Sequence, residues 1–332
     1  MFARNNLLWA GALAGACYCY CGSALAQRTE DAARAYPSRP VRLVIGFTPG
    51  GQPDIVARLI APALSSALGQ QWVIDNRPGA GGITGTKIVT DAQPDGYTLL
   101  GSSSAIAITP AVFAKLPFDT QKDIAGVATA YSAAYLLAVT PSLNVRSVQD
   151  FVAYAKARPG QLNFSSAGNG SGTHFAGEIF KQATQIDVVH VPYKGIPEAL
   201  TDTIGGRAHF TMAPLGSALN LVREGRLRGL AVTSAKRLAV YPDLPTVAES
   251  GYPGFRWDSW GGIFAPARTP RAVVNKLNHE IVRALTDADI QQRMSTLGME
   301  ATPSSPEQLD KFLAEQIALV MQLAKKAGLQ AR

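Results

Sequence analysis

The chain has 332 residues, of which 47% are hydrophobic and 17% are charged. This composition excludes an intrinsically disordered chain, and the length is enough for two compact domains of ordinary size. The formal net charge is +7, but lysine and arginine are scattered and form no dense basic run. The sequence therefore indicates no nucleic-acid partner.

Residues 1–26 have the pattern of an export signal. Arg4 precedes a short apolar run at 7–16, and small residues at 24 and 26 form a cleavage site before Gln27. The run is shorter than the about 20 apolar residues that span a bilayer. All three cysteines lie in this segment, so the mature chain has no thiol nucleophile or thiolate ligand. An alternative is a lipoprotein in which Cys17 is lipidated.

Predicted strands and helices alternate in the first part of the mature chain. Residues 41–47 form a nearly continuous apolar run, which predicts a strand buried on both faces. A turn with two glycines follows, and Pro53 begins a helix that Gly69 ends. Two further predicted strands, at 72–74 and 97–100, each lead into a loop rich in glycine or serine.

The same order recurs after residue 160. Strands are predicted at 162–164, 188–191 and 227–232, with helices between them and two or three amphipathic helices at the end of the chain. This alternation predicts an α/β fold with parallel sheets covered by helices. A single doubly wound sheet is possible, but two sets of small-residue turns favour two sheets that face each other across a cleft.

Four loops that follow predicted strands have the composition of an anion site. They span 47–51, 101–104, 168–173 and 193–195. Free N–H groups and the positive dipole end at a helix start suit an anion such as a carboxylate, and glycine lets a ligand approach the main chain. The alternative is that these are tight turns without a ligand. We favour binding because several loops share this character.

Single side chains allow two interpretations each. Asp54 either stabilises the start of its helix or contacts a ligand amine or an ordered water, and His174 either contacts ligand or stabilises its turn. Lys194 is either a cation of the cleft or a solvated surface residue. None of the four histidines has metal-ligand spacing, and Asn169 breaks the nucleophile-elbow pattern around Ser171. We therefore expect no metal, no cofactor and no catalytic residue.

A series of short motifs runs along most of the mature chain in a fixed order. The motifs are 36–42, 50–51 with Asp54 and Arg58, 76–82, 94–99, 166–171 with His174, 191–195, 231–234, 244–249, and Trp260 with 265–267. This series resembles the substrate-binding proteins of tripartite tricarboxylate transporters (TTT), the TctC-like Bug receptors. The resemblance implies a periplasmic, two-lobed Venus flytrap fold with two mixed or parallel sheets flanked by helices.

We place lobe 1 at 37–135 plus 257–332 and lobe 2 at 136–256, with the ligand cleft between them. The resemblance and the loop chemistry together predict the ligand contacts. They are Phe47, Thr48, Pro49, Gly50, Asp54, Ser102, Ser103, Ser104, Asn169, Gly170, Ser171, Thr173, His174, Tyr193, Lys194 and Gly195.

The resemblance implies a monomeric receptor, without catalysis, that captures a small organic carboxylate and delivers it to membrane permease subunits. The alternatives are a ligand-sensing co-receptor for a signalling kinase and a hydrolase on a similar scaffold.

Two departures from the family pattern concern ligand identity. In a predicted loop at 210–214, His209 and Ala213 replace acidic residues that the family often carries, which argues against an amino-acid ligand. Gln52 and Pro53 are an uncommon pair before Asp54.

Overall fold

A computed structural model describes residues 35–326 of the chain. The predicted export signal, its cysteines and the lipidation alternative lie outside the described residues. The strands are β1 (Val41–Ile45), β2 (Trp72–Asn76), β3 (Thr98–Ser103), β4 (Ile124–Val139), β5 (Asn163–Ser166), β6 (Val189–Pro192), β7 (Phe210–Pro214), β8 (Arg228–Val232), β9 (Asp258–Pro266) and β10 (Met299–Ala301).

Helices follow most of the strands. They are α1 (Gln52–Leu68), α2 (Ile83–Thr90), α3 (Ala105–Val112), α4 (Val148–Lys156), α5 (Gly172–Thr184), α6 (Ile196–Ile204), α7 (Leu215–Arg223), α8 (Arg271–Leu285), α9 (Ala288–Thr296) and α10 (Pro306–Lys326). Short 3₁₀ turns lie at Ala80–Gly82 and Pro141–Leu143. No helix among residues 35–326 has the length and apolarity needed to cross a membrane.

Strand β4 takes part in both halves of the sheet. Its residues 124–134 pair with β9, and its residues 135–139 pair with β7 and β8. Lobe 1 has the strand order β2-β1-β3-β9-β4, with β10 also on β4, and lobe 2 has the order β4-β7-β5-β6. The pairs of β1 and of β5 with their neighbours are parallel, whereas β4 and β9 run antiparallel. The predicted α/β class with mixed sheets is confirmed; the lobe boundaries stay a prediction.

Each lobe has its own apolar core. In lobe 1, Leu43 of β1, Ile60 of α1 and Leu277 of α8 are fully buried together. Lobe 2 is built around phenylalanine rings, and those of Phe151 and Phe210 meet edge to face with centroids 4.9 Å apart. Burial of a side chain of this size contributes about 1.5–3 kcal/mol. A third buried cluster contains residues of both lobes, among them Phe47 of lobe 1 and Ile196 and Leu215 of lobe 2.

The sequence patterns did not indicate β4 or β9, and the expected loop at 210–214 is wrong. Residues 210–214 form β7, which is fully buried between β4 and β5. β4 and β9 are likewise buried along most of their length. Strands buried on both faces do not alternate between apolar and polar residues. In β4 the many alanines also remove the β-branched residues by which such strands are recognised.

Candidate functional site

A cavity of about 40 Å³ lies where the two lobes meet. Lobe 1 contributes Phe47, Gly51, Gln52, Pro53 and Ser103, lobe 2 contributes Ala167, Ser171, Gly172, Thr173, Ile196 and Pro214, and Tyr135 of β4 and Ser259 of β9 complete the lining. Apart from Tyr135 and Ser259, these residues lie at or after the carboxyl ends of β1, β3, β5, β6 and β7, which is where open α/β sheets bind ligands. The volume is enough for about three water molecules, which occupy about 90 Å³ in the liquid.

Four helices begin at this cavity. Gly51 is the N-cap of α1, Ser171 that of α5 and Pro214 that of α7, and Ile196 is the first residue of α6. The first turn of a helix leaves backbone N–H groups without helical partners and carries a partial positive charge. The convergence of these ends makes the cavity favourable for an anion.

A buried network around Asp54 fixes the loop after β1. The carboxylate of Asp54 accepts the N–H of Gly50 at 2.9 Å and the side-chain amide of Asn76 at 3.0 Å, and it pairs with Arg58 at 2.9 Å. The Asn76 amide also donates to the carbonyl of Phe47 at 3.0 Å. Burial raises the pKa of Asp54, but the hydrogen bonds from Arg58, Gly50 and Asn76 outweigh burial and leave the pKa below its ordinary value. Asp54 is therefore an ionised residue that positions the loop.

Side-chain hydroxyls fix the loop after β5. Thr173 accepts the N–H of Ala167 at 2.8 Å and lies 2.9 Å from the hydroxyl of Ser171. Ser171 caps α5 by accepting the N–H of His174 at 3.2 Å, and Nδ1 of His174 accepts the N–H of Gly170 at 3.3 Å. The loop therefore keeps its shape through its own side chains and leaves the cavity between them open.

Two stacked histidines pack next to the loop after β5 and help to hold it. The rings of His174 and His190 are 4.1 Å apart, and His190 also stacks on Phe164 at 4.6 Å. Nε2 of His190 lies 2.6 Å from the hydroxyl of Ser166, which in turn accepts the N–H of Gly168 at 3.1 Å. Burial, and after it the charges of His174 and Lys181, lower the pKa of His190 to about 3. His190 is therefore neutral at neutral pH.

The lining of the cavity is uncharged. None of its residues, all within 35–326, is a lysine, arginine, histidine, aspartate or glutamate. Burial raises the pKa of the Tyr135 hydroxyl, which therefore stays protonated. The polar side chains of the lining are the amide of Gln52 and five hydroxyls, those of Ser103, Tyr135, Ser171, Thr173 and Ser259.

The two lobes touch at the mouth of the site. Thr48 of lobe 1 donates a hydrogen bond to Glu198 of lobe 2 at 3.2 Å, and Ser217 of lobe 2 donates to the carbonyl of Gly50 at 3.2 Å. A β-carbon on Gly195 would overlap Oγ1 of Thr48, and one on Gly81 would overlap the carbonyl of Asn169. The lobes are closed on each other, and glycine is required where the loops approach.

Comparison with known proteins identifies the family. The model of TctC, the tripartite tricarboxylate transporter family receptor, matches residues 56–329. The chain belongs to this family. The resemblance drawn from the sequence motifs is therefore confirmed, and this TTT receptor belongs to a family of substrate-binding proteins.

Relatives of the receptor match along most of their length. A UPF0065 protein from the tcbD–tcbE intergenic region of a Pseudomonas species is 36% identical over 88% of this chain and 87% of its own. BugT of Bordetella pertussis is 33% identical over 89% of this chain and 91% of its own.

Solved structures of Rhodopseudomonas palustris proteins share the receptor's fold. One, solved with adipate, is 36% identical with a TM-score of 0.87, covering 90% of this chain and 100% of its own. MatC, with bound malate, is 32% identical with a TM-score of 0.80, covering 87% of this chain and 99% of its own. These likenesses confirm the two-lobed fold.

The receptor brings four of the predicted contact residues to the cavity lining, namely Phe47, Ser103, Ser171 and Thr173. The other predicted residues lie around it in several roles. Asp54 and Gly50 hold the first loop, His174 and Gly170 hold the second, and Tyr193 bonds to Asp202 while Lys194 is exposed. The remaining ones, Thr48, Pro49, Ser102, Ser104, Asn169 and Gly195, flank the lining residues in the loops.

Sequence reasoning missed nine residues of the lining. Gly51 and Gly172 lie within the predicted loops, although they were not among the predicted contacts, and Gln52, Pro53, Ala167 and Ile196 adjoin those loops. Tyr135, Pro214 and Ser259 come from β4, β7 and β9, which the sequence pattern did not indicate. No local signal in the sequence marks these three.

The receptor also has a second, larger cavity, whose position differs from that of the cavity between the lobes. A cavity of about 730 Å³ lies beside β9 and α10 and is lined by Arg256, Trp257, Trp260 and Phe312 among others. It is larger than the cavity between the lobes, but it does not lie at the carboxyl ends of the parallel strands. Within residues 35–326 no group of three or more His, Cys, Asp or Glu side chains is placed to hold a metal ion.

Proposed function

We propose that this receptor is exported through its segment 1–26, binds a small organic carboxylate between its lobes without catalysis, and delivers it to membrane permease subunits. The observation that carries the proposal is the convergence of four helix starts on one uncharged cavity at the strand ends. The R. palustris relatives solved with adipate and malate support the same ligand class.

Main-chain groups provide the affinity for the carboxylate. A carboxylate that leaves water must recover its hydrogen bonds inside the cavity, since an unpaired buried charge is very costly. These bonds come from N–H groups at the starts of α1 and α5, from the hydroxyl of Ser103, and from one of the hydroxyls of Ser171 and Thr173, which share a hydrogen bond with each other. The networks of Asp54 and His174 hold the donors in place before the ligand arrives, which lowers the entropy cost of binding.

Lobe closure connects binding to delivery. The contacts of Thr48 with Glu198 and of Ser217 with Gly50 form only when the lobes meet. A ligand that bridges the lobes favours the closed form over the open one, and the permease distinguishes the two forms by their outer surface. We propose lobe 1 as 37–135 with 257–332 and lobe 2 as 136–256, and a monomer as the working unit.

A thermal-shift panel of carboxylates, sugars and amino acids tests the proposal on the purified chain. A ligand present at about 100 times its dissociation constant adds about 2.7 kcal/mol to the free energy of unfolding. We expect at least one carboxylate to raise the melting temperature and neutral sugars to leave it unchanged. A shift with sugars alone would contradict carboxylate binding. Uptake of the identified acid in cells with and without the permease genes tests delivery.

A further inference from the structure

Gln52 is a buried amide of the cavity lining whose donor is unused. It is the first residue of α1, its exposed fraction is 2%, and its Nε2 has no hydrogen-bond partner among residues 35–326. Buried polar side-chain atoms in native proteins nearly always have a partner, because an unpaired donor loses its hydration without compensation. The position of Gln52 on the cavity indicates that a bound ligand supplies the acceptor.

The charged groups near Gln52 determine whether the ligand can carry a positive charge. The nearest acid along the chain, Asp54, is already paired with Arg58 and accepts hydrogen bonds from Gly50 and Asn76. No carboxylate lines the cavity in the part of the chain that the structure describes. Glu198 lies at the mouth, where it accepts a hydrogen bond from Thr48, and it does not line the cavity. An ammonium group inside the cavity would therefore have no carboxylate of the lining beside it, and an unpaired buried cation is strongly unfavourable. The cavity therefore discriminates against amino acids.

The walls accept an uncharged hydrocarbon. Phe47, Pro53 and Ile196 line the cavity from α1, α6 and the loop after β1. A short aliphatic segment between two oxygen-bearing groups matches these apolar walls and the polar groups at their ends.

We infer that the ligand is a carboxylate without an ammonium group and with a second oxygen function, which accepts a hydrogen bond from Nε2 of Gln52. This inference rests on the proposed function and adds a specificity-determining residue to it. The second oxygen is that of a hydroxyl, a carbonyl or a second carboxyl group. A site that donates to a substrate oxygen rejects the analogue that lacks it, since the amide is then left unpaired.

Matched four-carbon acids test the inference by calorimetry on the wild-type chain and on Gln52→Met. The probes are butyrate, α-hydroxybutyrate, succinate and α-aminobutyrate. We expect the wild type to bind α-hydroxybutyrate or succinate about tenfold more tightly than butyrate and α-aminobutyrate most weakly. Which of the two oxygen-bearing acids binds better identifies the second function. Gln52→Met should remove this preference, so that the variant binds succinate and α-hydroxybutyrate about as weakly as it binds butyrate.

A second variant gives the opposite change. Gln52→Glu places a carboxylate in the cavity, so we expect it to weaken succinate binding and to strengthen α-aminobutyrate binding relative to wild type. The inference is overturned if Gln52→Met weakens all the acids by the same factor, or if wild type binds α-aminobutyrate as well as α-hydroxybutyrate. If no acid at all binds wild type, the proposed function fails instead. Melting temperatures without ligand verify that each variant is folded.

Discussion

Thr48 donates a hydrogen bond to Glu198 at 3.2 Å, although the two residues are 150 positions apart and lie on opposite lobes. Gly195, the N-cap of α6, sits against the same threonine side chain and has room only for a hydrogen. The closed form of the receptor thus depends on the contact between Gly195 and the side chain of Thr48, which is possible because glycine has no side chain. This contact can be changed without touching the cavity lining.

Gly195→Ala is expected to weaken ligand binding about tenfold, which corresponds to about 1.4 kcal/mol against closure. The reason is steric, because the new methyl group overlaps Oγ1 of Thr48 when the lobes meet. The backbone at Gly195 is extended, with a φ of −165°, so alanine fits the open form. Isothermal titration measures the affinity. Gly205→Ala at the other end of α6 is the matched control, and equal affinities of both variants would contradict the role of this contact.

Asp54→Ala is expected to lower the free energy of unfolding by about 2 kcal/mol, because the half-buried amide of Asn76 and the N–H of Gly50 lose this acceptor and Arg58 loses its partner. This value is below the about 3–5 kcal/mol expected when a fully buried ion pair is broken, because Arg58 is half exposed. Since the folded-state pKa of Asp54 is depressed, its contribution is complete above the ordinary carboxyl pKa and is lost as pH falls through the folded pKa. Urea unfolding at neutral and acid pH measures both effects. Asp91→Asn, on the surface, serves as control.

His190 makes the receptor less stable in acid. Its pKa is about 3 in the folded chain, against an ordinary value of 6.5, so the unfolded chain binds the proton first as pH falls. Because the unfolded chain binds this proton first, the free energy of unfolding falls by about 2 kcal/mol between pH 6.5 and pH 5. His190→Gln keeps a polar group near Ser166 but does not titrate, so it should lose less stability over this range. The exposed His279→Gln is the control. Identical pH profiles for wild type and His190→Gln would refute the assignment.

Ser171→Ala and Ser147→Ala form a matched pair. Both serines cap a helix of lobe 2, since Ser171 accepts the N–H of His174 and Ser147 that of Asp150. Each substitution is expected to cost about 1 kcal/mol of stability. Only Ser171 lines the cavity, so only Ser171→Ala should also reduce ligand affinity. Loss of affinity in both variants would show that the effect is one of stability alone.

Local patterns in the sequence predicted the loops of this site well. The turn at 47–51 and the cap at Ser171 depend on glycine, serine and helix-start signals that lie within a few residues of each other. The structural interpretation of Asp54, as a residue that stabilises the start of its helix, is close to its observed role. In the structure Asp54 also accepts a hydrogen bond from Asn76 of β2.

The rest of the site depends on pairings that no local pattern encodes. Tyr135 and Ser259 reach the cavity because β4 and β9 pair through Ala134 and Asp258. The contact of Thr48 with Glu198 likewise depends on how the lobes meet. In the sequence, Gln52 is notable only as an uncommon residue before the family motif at Asp54. The structure shows in addition that its side chain is buried at the cavity, and this burial is the basis for assigning it a role in binding.

Strand β9 lies between β3 and β4 in the sheet of lobe 1, although the chain reaches it only after all the strands of lobe 2. Leu100 finds its antiparallel neighbour only at Phe264. Such distant pairings form slowly, because a long stretch of chain must first be brought together. The sheet that begins with the first strand of the chain is therefore complete only when residues 258–266 join it, and a polypeptide that stops before residue 258 lacks the strand that connects β3 to β4 beside the solute cleft.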